Sequence, residues 1–214
     1  MEQFKTLKQC GETTYIDRKS RFIAYARPFE TVDEAEDYLS FLRREYSDAS
    51  HVVFAYRFSL PEMYSRFSDD GEPKGTAGPP LLDILTGDDL FQCGVFVVRY
   101  FGGTLLGTGG LVRAYGRAAS DAVANAGVVT RTKVDIYKVT SGYDRNERIQ
   151  DGLTRAGFIP DKIEYLADVS FEVGVPPVLT EDFHTLLNDL AAGQANVERI
   201  GDAYRTFGKE DTIE

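Results

Sequence analysis

Residues 95–127 read V-F-V-V-R-Y-F-G-G-T-L-L-G-T-G-G-L-V-R-A-Y-G-R-A-A-S-D-A-V-A-N-A-G, and this stretch decides the fold. The β-branched run Val95-Phe96-Val97-Val98 has the composition of a buried strand, which ends at Arg99 before the pairs Gly102-Gly103 and Gly109-Gly110. From Leu111 the apolar residues Leu111, Val112, Tyr115, Ala118, Ala119, Ala122, Val123 and Ala126 recur at helical spacing, and Gly127 stands where a helix C-terminal glycine belongs. The unit is a strand, a glycine loop and a helix. Glycines bring backbone N–H groups close to a ligand, and a helix N-terminus adds unpaired donors and partial positive charge. An anion site is therefore predicted over Gly102, Gly103, Gly107, Thr108, Gly109 and Gly110. Arg113 and Arg117, four apart on one helix face, and Arg99 at the strand end would back it.

The loop matches no known phosphate motif. The Walker Gly-Lys-Ser/Thr is absent, and Val112 stands where the third glycine of a dinucleotide fingerprint would fall. Glycines that only permit tight turns and close packing are the alternative reading.

A second dense segment, Ser68-Asp69-Asp70-Gly71-Glu72-Pro73-Lys74-Gly75-Thr76-Ala77-Gly78-Pro79-Pro80, joins carboxylates to turn formers. It reads as a loop leading into a short helix near 80–86. Asp69, Asp70 and Glu72 are weak candidates for a hard cation, but their spacing is not that of a calcium loop, and turn chemistry explains them as well.

Together these segments resemble the Impact/YigZ family. The resemblance is carried by Lys19-Ser20-Arg21-Phe22-Ile23-Ala24, Asp48-Ala49-Ser50-His51, the Ser68–Pro73 and Gly75–Gly78 segments, Val98–Gly103 and Leu106–Tyr115, in that order. Val53 departs from it, since many relatives carry cysteine there; a family-wide catalytic thiol is put in doubt here. The resemblance implies an α+β protein. Its N-terminal domain would be similar to a βαβ fold of a small-subunit ribosomal protein and of domain IV of ribosomal translocases, and its C-terminal domain similar to translocase domain V. It further implies a role in translation or its stress control. Eukaryotic Impact proteins compete for the ribosome-associated activator of a general-control kinase. Their additional N-terminal domain has no counterpart in these residues, so that partnership is not carried over intact, and a protein partner in translation control is what the resemblance leaves.

The rest of the chain agrees with two parts. Strands are predicted near 12–17, 20–28, 51–59 and 93–100, with a helix near 31–46 capped by Thr31, acidic at its start and basic at Arg43-Arg44. Physics gives helices against a mostly antiparallel sheet. Beyond Gly127 the order is strand 136–143, helix 145–156, strands 158–166 and 168–174, helix 178–191 and strand 196–206, the βαββαβ order of a ferredoxin-like sandwich. The domains are accordingly set at 1–134 and 135–208, with a polar tail at 209–214.

Charge is uneven. Residues 1–134 carry 16 basic and 18 acidic side chains, a net of −2, whereas 135–214 carry 8 and 16, a net of −8. A total of −10 argues against indiscriminate coating of DNA but not against a local basic groove. Lys19, Arg21, Arg57, Arg66, Lys74, Arg99, Arg113 and Arg117 are its candidates, with Tyr100, Phe101 and Tyr115 to stack bases. The two cysteines, Cys10 and Cys93, imply neither a disulfide framework nor a zinc site, and no cofactor is called for. With no apolar run of membrane length and no secretory core at Met1-Glu2-Gln3-Phe4-Lys5, the expected location is the cytoplasm.

The leading expectation is a non-enzymatic regulator that binds RNA phosphates or a ribosomal surface, its acidic C-terminal domain modulating access or recruiting a protein. A hydrolase of a small phosphorylated or peptide substrate is the second. It would use His51 as base, Ser68 or Thr108 as nucleophile, Asp69 or Asp70 as orienter and the glycine-loop amides as cradle. A protein–protein adaptor without nucleic acid is the third. Whether there is catalysis at all stays open, since no metalloprotease or nucleophile-elbow motif is present. His184 reads as a helix surface residue.

Overall fold

The protein is described by a computed structural model covering residues 2–206; the predicted tail, 209–214, lies outside the described residues. The chain divides into two compact units, Phe4–Val129 and Met1–Gln3 with Thr130–Glu214. β1 (Gln3–Leu7), a short strand with no clear apolar alternation, was not expected from the sequence.

The first unit is built on β2 (Gly11–Asp17), β3 (Ser20–Pro28), α1 (Val32–Glu45), β4 (His51–Phe58), β5 (Tyr64–Ser68), α2 (Gly78–Gly87), β6 (Cys93–Tyr100) and α3 (Thr108–Ala126). Its sheet has the order β2-β3-β6-β4-β5, and every neighbouring pair is antiparallel. Side chains alternate across a strand, so Phe22, Ala24, Val53, Ala55, Val95 and Val97 pack under α2 and α3. Their neighbours Ile23, Val52, Phe54, Phe96 and Val98 pack against Leu39 and Leu42 of α1. Because both faces are covered, β6 is buried from Cys93 to Arg99 and reads as a continuous apolar run, as strands of doubly covered sheets do. β5 is the second unexpected strand: its residues are exposed on both sides apart from Ser68, so it has no hydrophobic periodicity.

Local signals account for the helices. Thr31 Oγ1 accepts the Glu34 N–H at 3.2 Å, and Asp33 and Glu34 lie in the first turn of α1 with Arg43 and Arg44 in the last. α3 starts at Gly107, whose φ of +73° an L side chain adopts only with strain, and stops at Gly127.

The second unit runs β7 (Val128–Ser141), α4 (Tyr143–Arg155), β8 (Pro160–Tyr165), β9 (Val169–Val175), a single 3₁₀ turn at Pro177–Leu179, α5 (Thr180–Ala191) and β10 (Ala195–Thr206). This is the expected ferredoxin-like order. β7 lies centrally between β10 and β9, and β8 is at the edge. Tyr137, Val139, Phe171 and Val173 pack with Ile149 and Leu153 of α4 and Phe183 and Leu187 of α5 in one core. At the start of the chain, Glu2 accepts the Lys133 N–H at 2.7 Å, next to β1. No helix among the described residues is long and apolar enough to cross a membrane.

Candidate anion-binding surface

Arg99 stands at the C-terminal end of β6, in register with Phe22 of β3 and His51 of β4. It shares its strand face with Val95 and Val97, so its side chain points under α3. Its Nη1 donates to Glu72 Oε1 at 2.5 Å, with the two side chains 6% and 3% exposed. Tyr115, from the second turn of α3, donates its hydroxyl to the same oxygen at 2.7 Å. Burial, then the bond to Glu72, push the Tyr115 hydroxyl far above the ordinary tyrosine range, so it acts here as a donor. Arg99 and Tyr115 are thus corrections to the predicted surface: neither is free to meet a phosphate or a base.

Ser20, fully buried at the start of β3, completes the junction. Its Oγ accepts the Gly102 N–H at 3.1 Å and lies 3.4 Å from Arg99 Nη2. Gly102 is required at this point, since a Cβ there would lie 2.1–2.4 Å from the backbone of Lys19 and Ser20. The glycine loop is therefore seated directly on the β2–β3 turn.

The three carboxylates of the acidic loop are all engaged by protein donors. Asp69 Oδ1 accepts the N–H groups of Ala77 and Gly78 at 3.0 and 2.9 Å, and its Oδ2 accepts that of Gly75 at 2.8 Å. Burial raises the Asp69 carboxyl, but the three backbone donors outweigh it and hold the group below its ordinary value. Asp70 takes the left-handed conformation at φ +44°. Its Oδ2 accepts the Val52 N–H at 2.7 Å, and its Oδ1 pairs with Arg43 at 3.1 Å. The weak cation reading of Asp69, Asp70 and Glu72 is corrected accordingly: they answer to separate donors, and no cluster suited to a metal occurs among the described residues.

His51 borders this junction with its side chain 23% exposed. Its Nδ1–H donates to the Asp70 carbonyl at 2.8 Å, since a carbonyl only accepts, and Nε2 lies 3.8 Å from Glu72 Oε1. The nucleophiles considered for a hydrolase are not set against it. Ser68 Oγ accepts the Asp70 N–H at 3.1 Å, Thr108 lies at the start of α3, and no hydroxyl hydrogen bonds to His51 among the described residues.

The exposed groups lie above this buried junction. Arg18 and Lys19 form the two-residue turn between β2 and β3, both at positive φ (+44° and +69°), a conformation usually filled by Gly, Asn or Asp. Arg18, which sequence reasoning missed, lies 3.4 Å from the Leu105 carbonyl through Nη1, tying the turn to the glycine loop. Arg21 stacks on Tyr100 at 4.5 Å, and Tyr100 donates to Asp48. Phe101 and Leu105 are 48% and 82% exposed, and Gly103, Gly107, Thr108 and Gly109 are also exposed. The first intrahelical bond of α3 runs from Leu111 N–H to Gly107, so the N–H groups of Thr108, Gly109 and the buried Gly110 precede it. Arg113 is exposed, and its Nη1 reaches back to the Gly109 position. Three further basic candidates are engaged elsewhere. Arg117 pairs with Asp121 at 2.8 Å, Arg66 pairs with Glu36, and Arg57 donates to the Leu85 and Leu90 carbonyls. Lys74 is exposed in the acidic loop, and the groove retained around the glycine loop consists of Lys19, Arg21 and Arg113, with Arg18 added.

Known proteins share this arrangement of segments. The Impact N-terminal domain family matches residues 18–123. Over 198 residues the chain is 32% identical to the IMPACT family member YvyE of Bacillus subtilis (strain 168), covering 92% of this chain and 91% of that protein. Over 185 residues it is 34% identical to the IMPACT family member YigZ of Escherichia coli (strain K12), covering 86% and 91%. A crystal structure described as that of a hypothetical protein superposes with a TM-score of 0.61 at 32% identity, covering 94% of this chain and 98% of that one.

Proposed function

The chain belongs to the IMPACT family, and from that premise we propose that its first unit is a cytoplasmic, translation-linked module that binds single-stranded RNA phosphates, free or on a ribosome. The binding surface is the Arg18-Lys19 turn with Arg21, the glycine loop and the first turn of α3 with Arg113. The observation that carries this reading is the turn itself. Two adjacent basic residues occupy left-handed positions that cost a non-glycine residue about 1–2 kcal/mol each, and Gly102 and Ser20 brace the turn against the loop. A strained turn that presents charge and is held from below suits contact with an anion better than it suits folding.

Phosphates would meet the guanidiniums and the open amides of α3, and Phe101 offers an aromatic face to an unstacked base. The buried Arg99–Glu72–Tyr115 junction acts as a positioning device, keeping turn, loop and helix in register without touching the ligand.

The test is co-sedimentation with ribosomes and with labelled single-stranded RNA at two salt concentrations. Wild type, Arg113→Glu and Lys19→Glu are compared. Binding that weakens with salt and is lost in both variants is the expected result. Variants that fold and bind as wild type would overturn the assignment.

A further inference from the structure

We propose that Phe101 is a one-base platform: it stacks a single unstacked base of the bound strand and prefers a purine. This rests on the RNA-phosphate reading above and names what that same surface recognises. Of the three aromatic side chains suited by sequence to stack bases, two are occupied. Tyr115 is fully buried and donates to Glu72. Tyr100 packs against the α1 core, with Arg21 stacked on its ring at 4.5 Å and its hydroxyl committed to Asp48 at 2.8 Å. Phe101 alone of the three is open, at 48% exposure.

The ring stands on a fixed backbone. Ser50 takes the Phe101 N–H on its Oγ at 3.1 Å and gives its own N–H to the Arg99 carbonyl at 2.9 Å. Ser20 takes the next N–H, that of Gly102, at 3.1 Å. The Arg99 guanidinium lies over one face of the Phe101 ring, 5.6 Å from its centre, and the Arg99 side chain is only 6% exposed. That face is closed, so the ring stacks one base on its other face and cannot slip between two. Bases inside a duplex are covered on both sides by their neighbours, so the occupant is a single strand. A cation behind the ring draws its π-density inward, and the outer face then favours the larger, electron-rich surface of a purine. Arg21 is in register with Tyr100, and the Lys19 backbone abuts Gly102, which sets both basic residues beside the platform for the flanking phosphates.

The experiment separates base from backbone, using the full chain and fluorescein-labelled ribose-phosphate hexamers read by fluorescence anisotropy. One hexamer is wholly abasic, one carries a single adenosine, one a single uridine and one two adjacent adenosines. The single adenosine is expected to tighten binding about fivefold to a hundredfold over the abasic hexamer, with uridine between them. A second adenosine is expected to add no more than the roughly twofold gain of a second register. Phe101→Ala, an exposed change that spares the core, is expected to bring all four to the abasic affinity while leaving the salt dependence unchanged. Phe101→Tyr is expected to keep the wild-type order. Equal binding of the abasic and adenosine hexamers, with binding still lost in Arg113→Glu, overturns the platform and leaves the phosphate reading standing. A uridine preference, a second adenosine as effective as the first, or base discrimination that survives Phe101→Ala also overturns it. No binding of any hexamer or of longer single-stranded RNA at low salt overturns both readings together.

Discussion

Removing either partner of the Arg99–Glu72 pair strands a charge inside the first unit, and the size of that penalty tests whether the junction is as closed as its geometry indicates. The two side chains are 6% and 3% exposed, so solvent screening gives little relief. Breaking one partner of such a buried pair costs about 3–5 kcal/mol. Glu72→Leu removes in addition the acceptor of the Tyr115 hydroxyl, a bond to a charged group that contributes about 1.5–3 kcal/mol. Glu72→Leu should therefore be the more damaging single change, and Arg99→Met the milder. Replacing both at once deletes the charges together, and such replacements are often neutral or stabilising. The double variant should thus recover most of the loss, with a coupling of at least about 2 kcal/mol. Urea unfolding followed by circular dichroism supplies the four free energies, and hydrogen exchange of the β6 amides assigns them to the first unit. Single losses below about 1 kcal/mol, or strictly additive losses, would refute the reasoning, because they are the signature of exposed pairs.

Other outcomes follow from neighbouring contacts. Replacing Arg18-Lys19 by Asn-Gly should raise stability by about 1–2 kcal/mol by relieving two left-handed residues, and should weaken RNA binding and flatten its salt dependence; thermal melts and filter binding at several salts read both. Gly102→Ala puts a methyl group against the Lys19 and Ser20 backbone and should cost about 1–3 kcal/mol, seen as a lowered melting temperature. The folded-state Asp69 carboxyl lies below its unfolded value, so its contribution is present above the usual carboxylate range and is lost as pH falls through the folded value. Asp69→Asn should accordingly flatten the acid limb of the stability profile and weaken the start of α2 by about 1 kcal/mol. Burial pushes the Cys93 thiol up to about 12 while Cys10 is exposed, so a thiol reagent should modify one cysteine in the native protein and two after unfolding.

The segments most readable in the sequence are those whose burial contrast or capping is local. The β6–glycine loop–α3 unit, the capped α1 and the βαββαβ order of the second unit all have that character. β1 and β5 were not readable, because they are short and, in β5, exposed on both sides. Arg99 was misread for a related reason. Alternation along Val95, Val97 and Arg99 does place it on the α3 face, but both faces of β6 are apolar, so parity carried no contrast between inside and outside. Asp69 and Asp70 looked like chemistry because a capping carboxylate and a ligating one are the same group in a sequence; only the positions of the Gly75, Ala77, Gly78 and Val52 amides distinguish them. Arg18 escaped notice because turn signals rest on Gly and Asn, and this turn has neither.

The place of β6 in the order β2-β3-β6-β4-β5 also governs when the first unit can form. β3 and β4 each find their inner neighbour only in residues 93–100, so β3 must wait across some sixty-five residues of chain before its second edge is paired. During synthesis the β2–β3 hairpin can close at once, but Phe22, Val53, Phe54 and their neighbours stay uncovered until β6 has left the exit tunnel. Non-local pairing of this kind makes folding slow and leaves apolar edges open on the way. A nascent chain stalled before residue 93 should therefore be held by chaperones, and one stalled after α3 should be released from them.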